Sequence, residues 1–160
     1  MNKLKYLGYS IVFQEVPNEV TLAINISGCP HRCEGCHSKY LWEYEGSFIL
    51  DDLVSLIDKY KGLVTCVCFM GGDQNQAELM QLAHIVDSYG LNVALYSGLP
   101  SKLSLCDTAQ CFDYIKVGAY DSSLGGLASK TTNQRMYKQI NKPSDIWEDI
   151  THLFQERGGA

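Results

Sequence analysis

The sequence predicts an α/β domain with a mostly parallel sheet, arranged as a partial, open β/α barrel. Patterns typical of strands and helices alternate along the chain, which favours parallel strands joined by right-handed crossovers. Residues 64–70 are almost continuously apolar, as expected of a parallel strand covered on both faces. The predicted strands are too few for a closed eight-unit barrel. With 160 residues, 46% of them hydrophobic, we expect residues 1–160 to form a single domain.

The first half of the chain contains two predicted strands and a helix before the apolar strand predicted at 64–70, which we call the core strand. Aromatic and β-branched residues at 6–13 and an apolar run at 21–26 indicate two strands. Pro17 and Asn18 lie between them and are residue types that favour a turn. Residues 51–60 place apolar side chains at helical intervals and therefore predict an amphipathic helix.

The second half continues the alternation of helix and strand. Residues 75–89 carry apolar side chains at helical spacing, and Gly90 is a candidate C-cap. Further strands are predicted at 91–96 and 114–118, and the Gly- and Ser-rich residues 121–130 indicate a loop. A terminal helix is predicted with Ser144 as N-cap, followed by Asp145, Ile146, Ile150, Leu153 and Phe154.

Composition limits the classes of partner and compartment. The net charge is −5, the pI is about 5.3, and Lys and Arg form no evident stripe, so we expect no nucleic-acid partner. No apolar stretch approaches the ~20 residues of a membrane-spanning helix, so we expect no membrane partner. The seven cysteines are an odd number, and the chain opens without an apolar signal segment. We therefore expect reduced thiols and a cytoplasmic protein.

Three cysteines in a C-x3-C-x2-C arrangement form the strongest functional motif. Cys29, Cys33 and Cys36 directly follow the second predicted strand, at the end where ligands bind in α/β proteins. Three thiolates can hold three irons of a 4Fe-4S cluster and leave the fourth iron open to a substrate or cofactor. The spacing favours such a cluster over a structural zinc site, but it leaves that alternative open, with His31 or His37 as the fourth ligand.

A second candidate site follows the next strands along the chain. Gly71, Gly72 and Asp73 follow the core strand, and Ser97 follows the strand after it. Glycines allow the backbone to approach a ligand closely. Alone, Gly-Gly-Asp is more typical of an ordinary strand-to-helix turn with Asp near an N-cap. Its position at a strand end after the cysteine motif favours a ligand-binding role.

These motifs, in this order, resemble those of the radical S-adenosylmethionine (SAM) enzymes, and most closely the branch that activates anaerobic ribonucleoside-triphosphate reductase. The resemblance rests on the cysteine motif at 29–37, Phe-Met-Gly-Gly-Asp at 69–73, Tyr-Ser-Gly at 96–98 and Thr-Asn-Gln-Arg at 132–135. It implies the partial β/α barrel of the radical SAM type.

The resemblance further implies a glycyl-radical activating enzyme, an oxidoreductase that uses a 4Fe-4S cluster and SAM. In such enzymes an electron enters the sulfonium of SAM, and the released 5′-deoxyadenosyl radical removes a hydrogen atom from a glycine of the reductase. The implied partners are the glycyl-radical subunit of anaerobic ribonucleoside-triphosphate reductase and an electron donor, flavodoxin or ferredoxin.

Residue roles follow from the same resemblance. Cys29, Cys33 and Cys36 would be the catalytic residues and the iron ligands. The implied cofactor-binding residues are Gly35, Cys36, His37, Gly71, Gly72, Asp73 and Ser97. The two glycines of the second motif would approach the methionyl amino group, residues 35 and 37 the adenosyl group, and the serine the ribose or carboxylate. Asn133 and Arg135 match a motif that suggests cofactor or partner contact, although exposed polar residues are usually only solvated.

The chain departs from the family at two points. Many relatives carry an aromatic residue where this chain has Gly35, so adenine must pack against another part of the chain. Relatives commonly show Gly followed by Arg in the turn at 17–20, where this chain reads Pro-Asn-Glu-Val. This second departure weakens any inference about substrate or partner contacts at that turn.

Alternative functions and the remaining cysteines complete the sequence picture. A radical SAM enzyme acting on a small molecule, similar to the carboxy-deazaguanine synthases, is one alternative, and an activator of another glycyl-radical enzyme is a second. A zinc-binding adaptor without catalysis is a third. Cys66 and Cys68 alternate on the core strand and are expected to be buried, inert thiols. Cys106 and Cys111 form a single pair, and we assign them no metal.

Overall fold

The computed structural model describes residues 2–31 and 39–158, with side chains up to Glu156. Within these ranges, eight strands form one sheet: β1 (Lys5–Val12), β2 (Thr21–Ile26), β3 (Ser47–Phe48), β4 (Cys66–Met70), β5 (Asn92–Tyr96), β6 (Tyr114–Val117), β7 (Arg135–Gln139) and β8 (Trp147–Asp149). The helices are α1 (Ile49–Tyr60), α2 (Gln76–Ser88) and α3 (His152–Gly158). Short 3-10 segments lie at Lys39–Leu41 and Lys102–Cys111.

The sheet is mixed, and the fold class predicted from the sequence is wrong. The strand order is β3-β1-β2-β4-β5-β6-β7-β8. β2, β4, β5 and β6 pair in parallel, whereas β3–β1, β1–β2, β6–β7 and β7–β8 are antiparallel pairs. Antiparallel neighbours can be joined by a short turn and need no crossover helix. The described chain therefore has only three α-helices, too few to surround the sheet. The described chain is therefore not a mostly parallel, partial β/α barrel.

The individual elements of the central region agree with the sequence patterns. The strands predicted at 6–13, 21–26, 64–70, 91–96 and 114–118 and the helices predicted at 51–60 and 75–89 are confirmed, with ends that differ by at most two residues. The turn before β2 is also confirmed, because Asn18 has a left-handed φ of +65°. Among the described helices, none is both long and apolar enough to cross a bilayer.

Side-chain alternation along β4 divides the core between the two faces of the sheet. Val67 and Phe69 belong to the cluster that includes α1 and α2, whereas Cys66 and Cys68 belong to the cluster on the other face. The helix residues in the first cluster include Leu53, Ile57, Leu79, Leu82 and Val86. The second cluster includes Val16, Ala94, Tyr114, Met136, Ile150 and Phe154. The expectation that both cysteines of this strand are buried is confirmed.

Polar contacts fix the first turn of α2. Asn75 is its N-cap, and the Asn75 side chain accepts a hydrogen bond from the backbone N of Glu78 at 3.1 Å. The same side chain donates to the carbonyl of Asn2 at 3.0 Å, and the Glu78 carboxylate accepts from the backbone N of Leu4 at 2.9 Å. These contacts hold the residues before β1 against the helix. The predicted C-cap Gly90 follows the helix with a φ of +74°.

The terminal helix predicted from Ser144 onward is wrong over most of its length. A turn and β8 occupy this region, and α3 begins only at His152. Asp145, which the prediction places in the first turn of this helix, has a φ of +55°, a value that no right-handed helix contains. The side-chain carbonyl of Gln139 accepts hydrogen bonds from the backbone N of Ser144 and of Asp145, at 2.9 and 3.0 Å. These N–H groups therefore have partners without a helix.

Replacing Glu78 by Gln should change the pH dependence of stability. Burial raises the pKa of the Glu78 carboxyl above its ordinary value of 4.5, so the folded chain binds this proton more tightly than the unfolded chain does. The contribution of Glu78 to stability is therefore full below the ordinary value and is lost as the pH rises through the raised pKa, a loss that the amide avoids. In urea titrations from about pH 4 to 7, the unfolding free energy of E78Q relative to wild type should increase with pH.

The matched control is Glu148→Gln, which replaces an exposed glutamate on β8. Its unfolding free energy relative to wild type should show no such increase. A difference between E78Q and wild type that stays constant or falls with pH contradicts the prediction.

Candidate functional site

The carboxyl ends of the four parallel strands meet at one edge of the sheet, and a pocket of about 180 Å³ lies there. Its wall includes Cys29 after β2, Gly71, Gly72 and Asp73 after β4, and Gly98 after β5. The structure thus brings together motif residues that whole strand and helix units separate along the chain.

Backbone hydrogen bonds hold Cys29 beside the pocket. The backbone N of Cys29 donates to the carbonyl of Leu41 at 2.9 Å, and that of Gly28 donates to Glu43 at 3.0 Å. The φ of Gly28 is +73°, a left-handed conformation that suits glycine. The Cys29 side chain is partly buried and lines the pocket. Four predicted site residues lie outside the described residues: Cys33, Gly35, Cys36 and His37.

Gly71 and Gly72 form part of the pocket wall in conformations that favour glycine. Their φ values are +113° and +109°. A Cβ at Gly72 would lie 2.7 Å from Cδ2 of Leu79, whereas a Cβ at Gly71 would meet Ile26 at 3.5 Å. Both residues line the pocket with backbone atoms only, and the missing Cβ at Gly72 leaves room for Leu79.

The Asp73 carboxylate joins three segments of the site. Its Oδ1 accepts a hydrogen bond from the Ser97 hydroxyl at 2.7 Å, and its Oδ2 accepts one from the backbone N of Gly98 at 2.9 Å. Nε2 of His31, which lies within the cysteine motif, is 2.6 Å from the same Oδ2. The Asp73 side chain is only 4% exposed, and these donors offset the cost of burying it.

Ser97 does not itself line the pocket, but it contacts Asp73, which does. It is fully buried, and its hydroxyl accepts a hydrogen bond from the backbone N of Leu99 at 3.0 Å while it donates to Asp73. Gly98, the next residue, is the one that lines the pocket. Ser97 therefore helps to fix the position of the Asp73 carboxylate.

The end of β6 contributes residues that the sequence analysis missed. Lys116 lines the pocket, and its Nζ donates to the carbonyl of Ser97 at 3.1 Å. Gly118 and Gln134 also line the pocket, and the Gln134 amide donates to the Gly118 carbonyl at 3.1 Å. A single lysine in a predicted strand carries no motif, so only the parallel pairing reveals that it lies at the sheet edge that holds the pocket.

Asn133 and Arg135, which belong to the Thr-Asn-Gln-Arg motif at 132–135, have partners within the chain. The Asn133 side chain donates to the carbonyl of Ala119 at 3.0 Å. The Arg135 guanidinium makes two hydrogen bonds to Oδ2 of Asp149, at 2.9 and 2.7 Å, across the β7–β8 pair. Arg135 therefore connects the last two strands, and Asn133 holds the segment that follows β6.

The cysteines outside the motif are separate from the pocket lining. Burial raises the pKa of the Cys66 and Cys68 thiols, which favours their protonated form. Cys106 is exposed, and Sγ of Cys111 lies 4.0 Å from Nε2 of His84. Over residues 2–31 and 39–158, no three His, Cys, Asp or Glu side chains form a group that could hold a metal. A metal centre at Cys29 therefore needs ligands from outside these ranges.

Comparison with protein families assigns this chain, including its cysteine motif, to a family. Residues 19–137 match the model of a family described as a 4Fe-4S single cluster domain. The chain belongs to this family. The match covers more than two thirds of the chain and includes the cysteine motif, the Gly-Gly-Asp turn and the end of β6. Searches of curated proteins and of solved structures found no significant match.

Family membership makes this chain an iron–sulfur protein and favours the 4Fe-4S cluster over the zinc site that the spacing left open. The described part of the site fits such a cluster. Cys29 provides the type of ligand that iron–sulfur clusters use, and it lies in the wall of a pocket that Gly71, Gly72 and Gly98 also line. Nε2 of His31 is already bound to Asp73, so this nitrogen does not act as a fourth metal ligand in the described arrangement.

Alanine at either glycine of the second motif should destabilise the fold, and Gly72→Ala should do so more than Gly71→Ala. A positive φ costs a residue with a side chain about 1–3 kcal/mol, and at Gly72 the added Cβ also displaces Leu79. Urea unfolding should show a loss of that order for G71A and a larger loss for G72A. Gly62→Ala is the control, because that glycine has no positive φ and no atom within 4 Å of an added Cβ. Equal stability of G72A and G62A would refute the prediction.

Proposed function

We propose that this 4Fe-4S protein is a radical SAM oxidoreductase that activates anaerobic ribonucleoside-triphosphate reductase by generating its glycyl radical. The observation that carries the proposal is the position of Cys29 in the wall of the same pocket as Gly71, Gly72 and Gly98. A cluster held by three thiolates keeps one iron open, and this pocket would provide space for a cofactor beside it. A cluster that only transfers electrons needs no such pocket.

When bound, the cluster would pass one electron, received from flavodoxin or ferredoxin, to the sulfonium of SAM, and cleavage to methionine would release the 5′-deoxyadenosyl radical that takes a hydrogen atom from the reductase glycine. The residues of this chain have to bind SAM, orient it and exclude water. Glycine is a suitable target because its Cα carries no side chain that blocks approach. These partners place the proposed reaction in the cytoplasm.

The site residues have separate tasks in this proposal. Cys29, Cys33 and Cys36 hold the cluster. Gly71 and Gly72, which line the pocket with backbone atoms, receive the methionyl amino group. Asp73 places a negative charge beside that amino group, and Ser97 holds the Asp73 carboxylate in position. Gly35 and His37, on either side of the ligand Cys36, are the proposed contacts to the adenosyl group.

Other residues of the wall suit the remaining groups of SAM. Lys116 provides a cation at the end of β6, where it can attract a carboxylate. Trp42, Tyr96 and Tyr120 are among the residues that line the pocket, and their flat apolar rings are of the kind against which adenine packs. These rings supply the stacking surface that Gly35 lacks.

Anaerobic reconstitution should load about four irons and four sulfides per chain, the content of one complete cluster. Cys29→Ala should abolish loading, because the two remaining thiolates cannot hold three irons. The matched control, Cys106→Ala, removes an exposed thiol outside the pocket and should load like wild type. Iron and sulfide are measured after desalting, together with visible absorption. About one zinc per chain without sulfide would contradict the prediction.

The reduced, loaded protein should form a glycyl radical in the reductase when SAM is added. Electron paramagnetic resonance should detect a doublet from the glycine Cα–H, and chromatography should detect 5′-deoxyadenosine. A reductase variant with alanine at the target glycine is the control and should give no doublet.

Two outcomes separate the levels of this proposal. Deoxyadenosine without a doublet, in the presence of intact reductase, would reject the partner and favour a small-molecule substrate or another glycyl-radical enzyme. No deoxyadenosine from a fully loaded and reduced protein would reject SAM cleavage itself.

A further inference from the structure

The proposed function leaves one contact of the cysteine motif unused. His31 lies between the first two cysteines of the motif, and its imidazole reaches across to Asp73 at the end of β4. The distance from Nε2 to Oδ2 is 2.6 Å, and the two side chains are 22% and 4% exposed. A hydrogen bond to a carboxylate with so little water around it is stronger than one between neutral groups.

Gly98 fixes the imidazole from a second direction. A Cβ at Gly98 would lie 2.5 Å from Cδ2 of His31 and 2.8 Å from both Cγ and Nε2. The ring therefore packs directly on the Gly98 backbone, and no side chain fits between them. The backbone N of Gly98 donates to the same Asp73 oxygen that the imidazole approaches. Hydrogen bonding and packing thus define one position for the ring.

We infer that His31 is a positioning residue that clamps the described start of the cysteine motif, residues 29–31, onto the ends of β4 and β5 and so slows loss of the cluster. The hydrogen bonds from Gly28 and Cys29 to Glu43 and Leu41 hold the motif at its base, and the His31 contact holds it on the other side of Cys29. A ligand fixed on both sides has less conformational freedom to lose when it binds and fewer ways to leave. The inference rests on the three-thiolate cluster of the proposed function, but not on SAM cleavage.

Gly98 offers a test that leaves every donor and acceptor in place. Gly98→Ala adds only a methyl group, at a position without a positive φ, and this group must displace the imidazole. If the clamp holds the cluster, G98A and H31A should each lose the cluster to an iron chelator about tenfold faster than wild type, the low end of the effect of removing a group that orients a metal ligand. The double variant H31A/G98A should lose it about tenfold faster and not about a hundredfold, because the methyl group has no ring left to displace.

Matched variants separate the clamp from general damage to the fold. His31→Gln keeps an N–H donor that can reach Asp73 and should restore slow loss. The control His152→Ala removes an exposed histidine at the start of α3, outside the pocket lining, and should behave like wild type. Thermal unfolding of the apo proteins should show that all variants fold. If G98A alone fails to fold, the comparison of H31A, H31Q and H152A carries the test.

The readout is iron released over time in the absence of SAM and reductase. Wild-type release rates in H31A overturn the inference, and so do effects of H31A and G98A that multiply in the double variant. Either result leaves the proposed function standing. Slow release from wild type and H31Q but fast release from H31A supports the clamp even if no deoxyadenosine forms.

Discussion

The parallel register of β2, β4, β5 and β6 is the constraint on which the site depends. Met70 pairs with Asn25 on one side and with Tyr96 on the other, so the chain leaves the sheet at the same level after these strands. A slip of one residue would move a strand by ~3.3 Å and turn its side chains to the opposite face. Asp73 would then no longer meet Ser97. The pocket is assembled by strand pairing and not by proximity along the chain.

The Asp73 carboxylate links the segments that follow β4 and β5 and so fixes this part of the pocket wall. A carboxylate with so little exposure is tolerated only with hydrogen-bond donors, and it finds them in Ser97, Gly98 and His31. The same donors use most of its capacity to accept further hydrogen bonds. A polar ligand would therefore depend on backbone groups of this turn, of which the Gly71 N–H already donates to Tyr96 and the Gly72 carbonyl already accepts from Asn75. Contacts that stabilise the strand ends thus also decide which atoms face the pocket.

Patterns of burial predict the central strands and helices, because each of these elements buries one face or both at a regular period. The carboxyl-terminal strands escape such patterns. Ile150 and Phe154 recur at helical spacing, yet one follows β8 and the other lies in α3, and both pack on the second face of the sheet. The left-handed Asp145 is not visible in the sequence, since Asp is also a good residue for a helix start. In the site, the cysteines and glycines are recognisable by type, whereas Lys116 and the contact of His31 with Asp73 depend on strand pairing.

The antiparallel outer strands explain how a mixed sheet can complete a site that belongs to the ends of parallel strands. β7 returns beside β6, and the residues just before it, Asn133 and Gln134, donate to the carbonyls of Ala119 and Gly118 in the pocket wall. These bonds fix the backbone after β6 without a covering helix. The chemistry of the edge depends on where the central strands end and on what holds the segments that follow them. The outer strands can therefore run antiparallel, unlike the strands of a β/α barrel, provided that their side chains still reach the segments that follow the central strands.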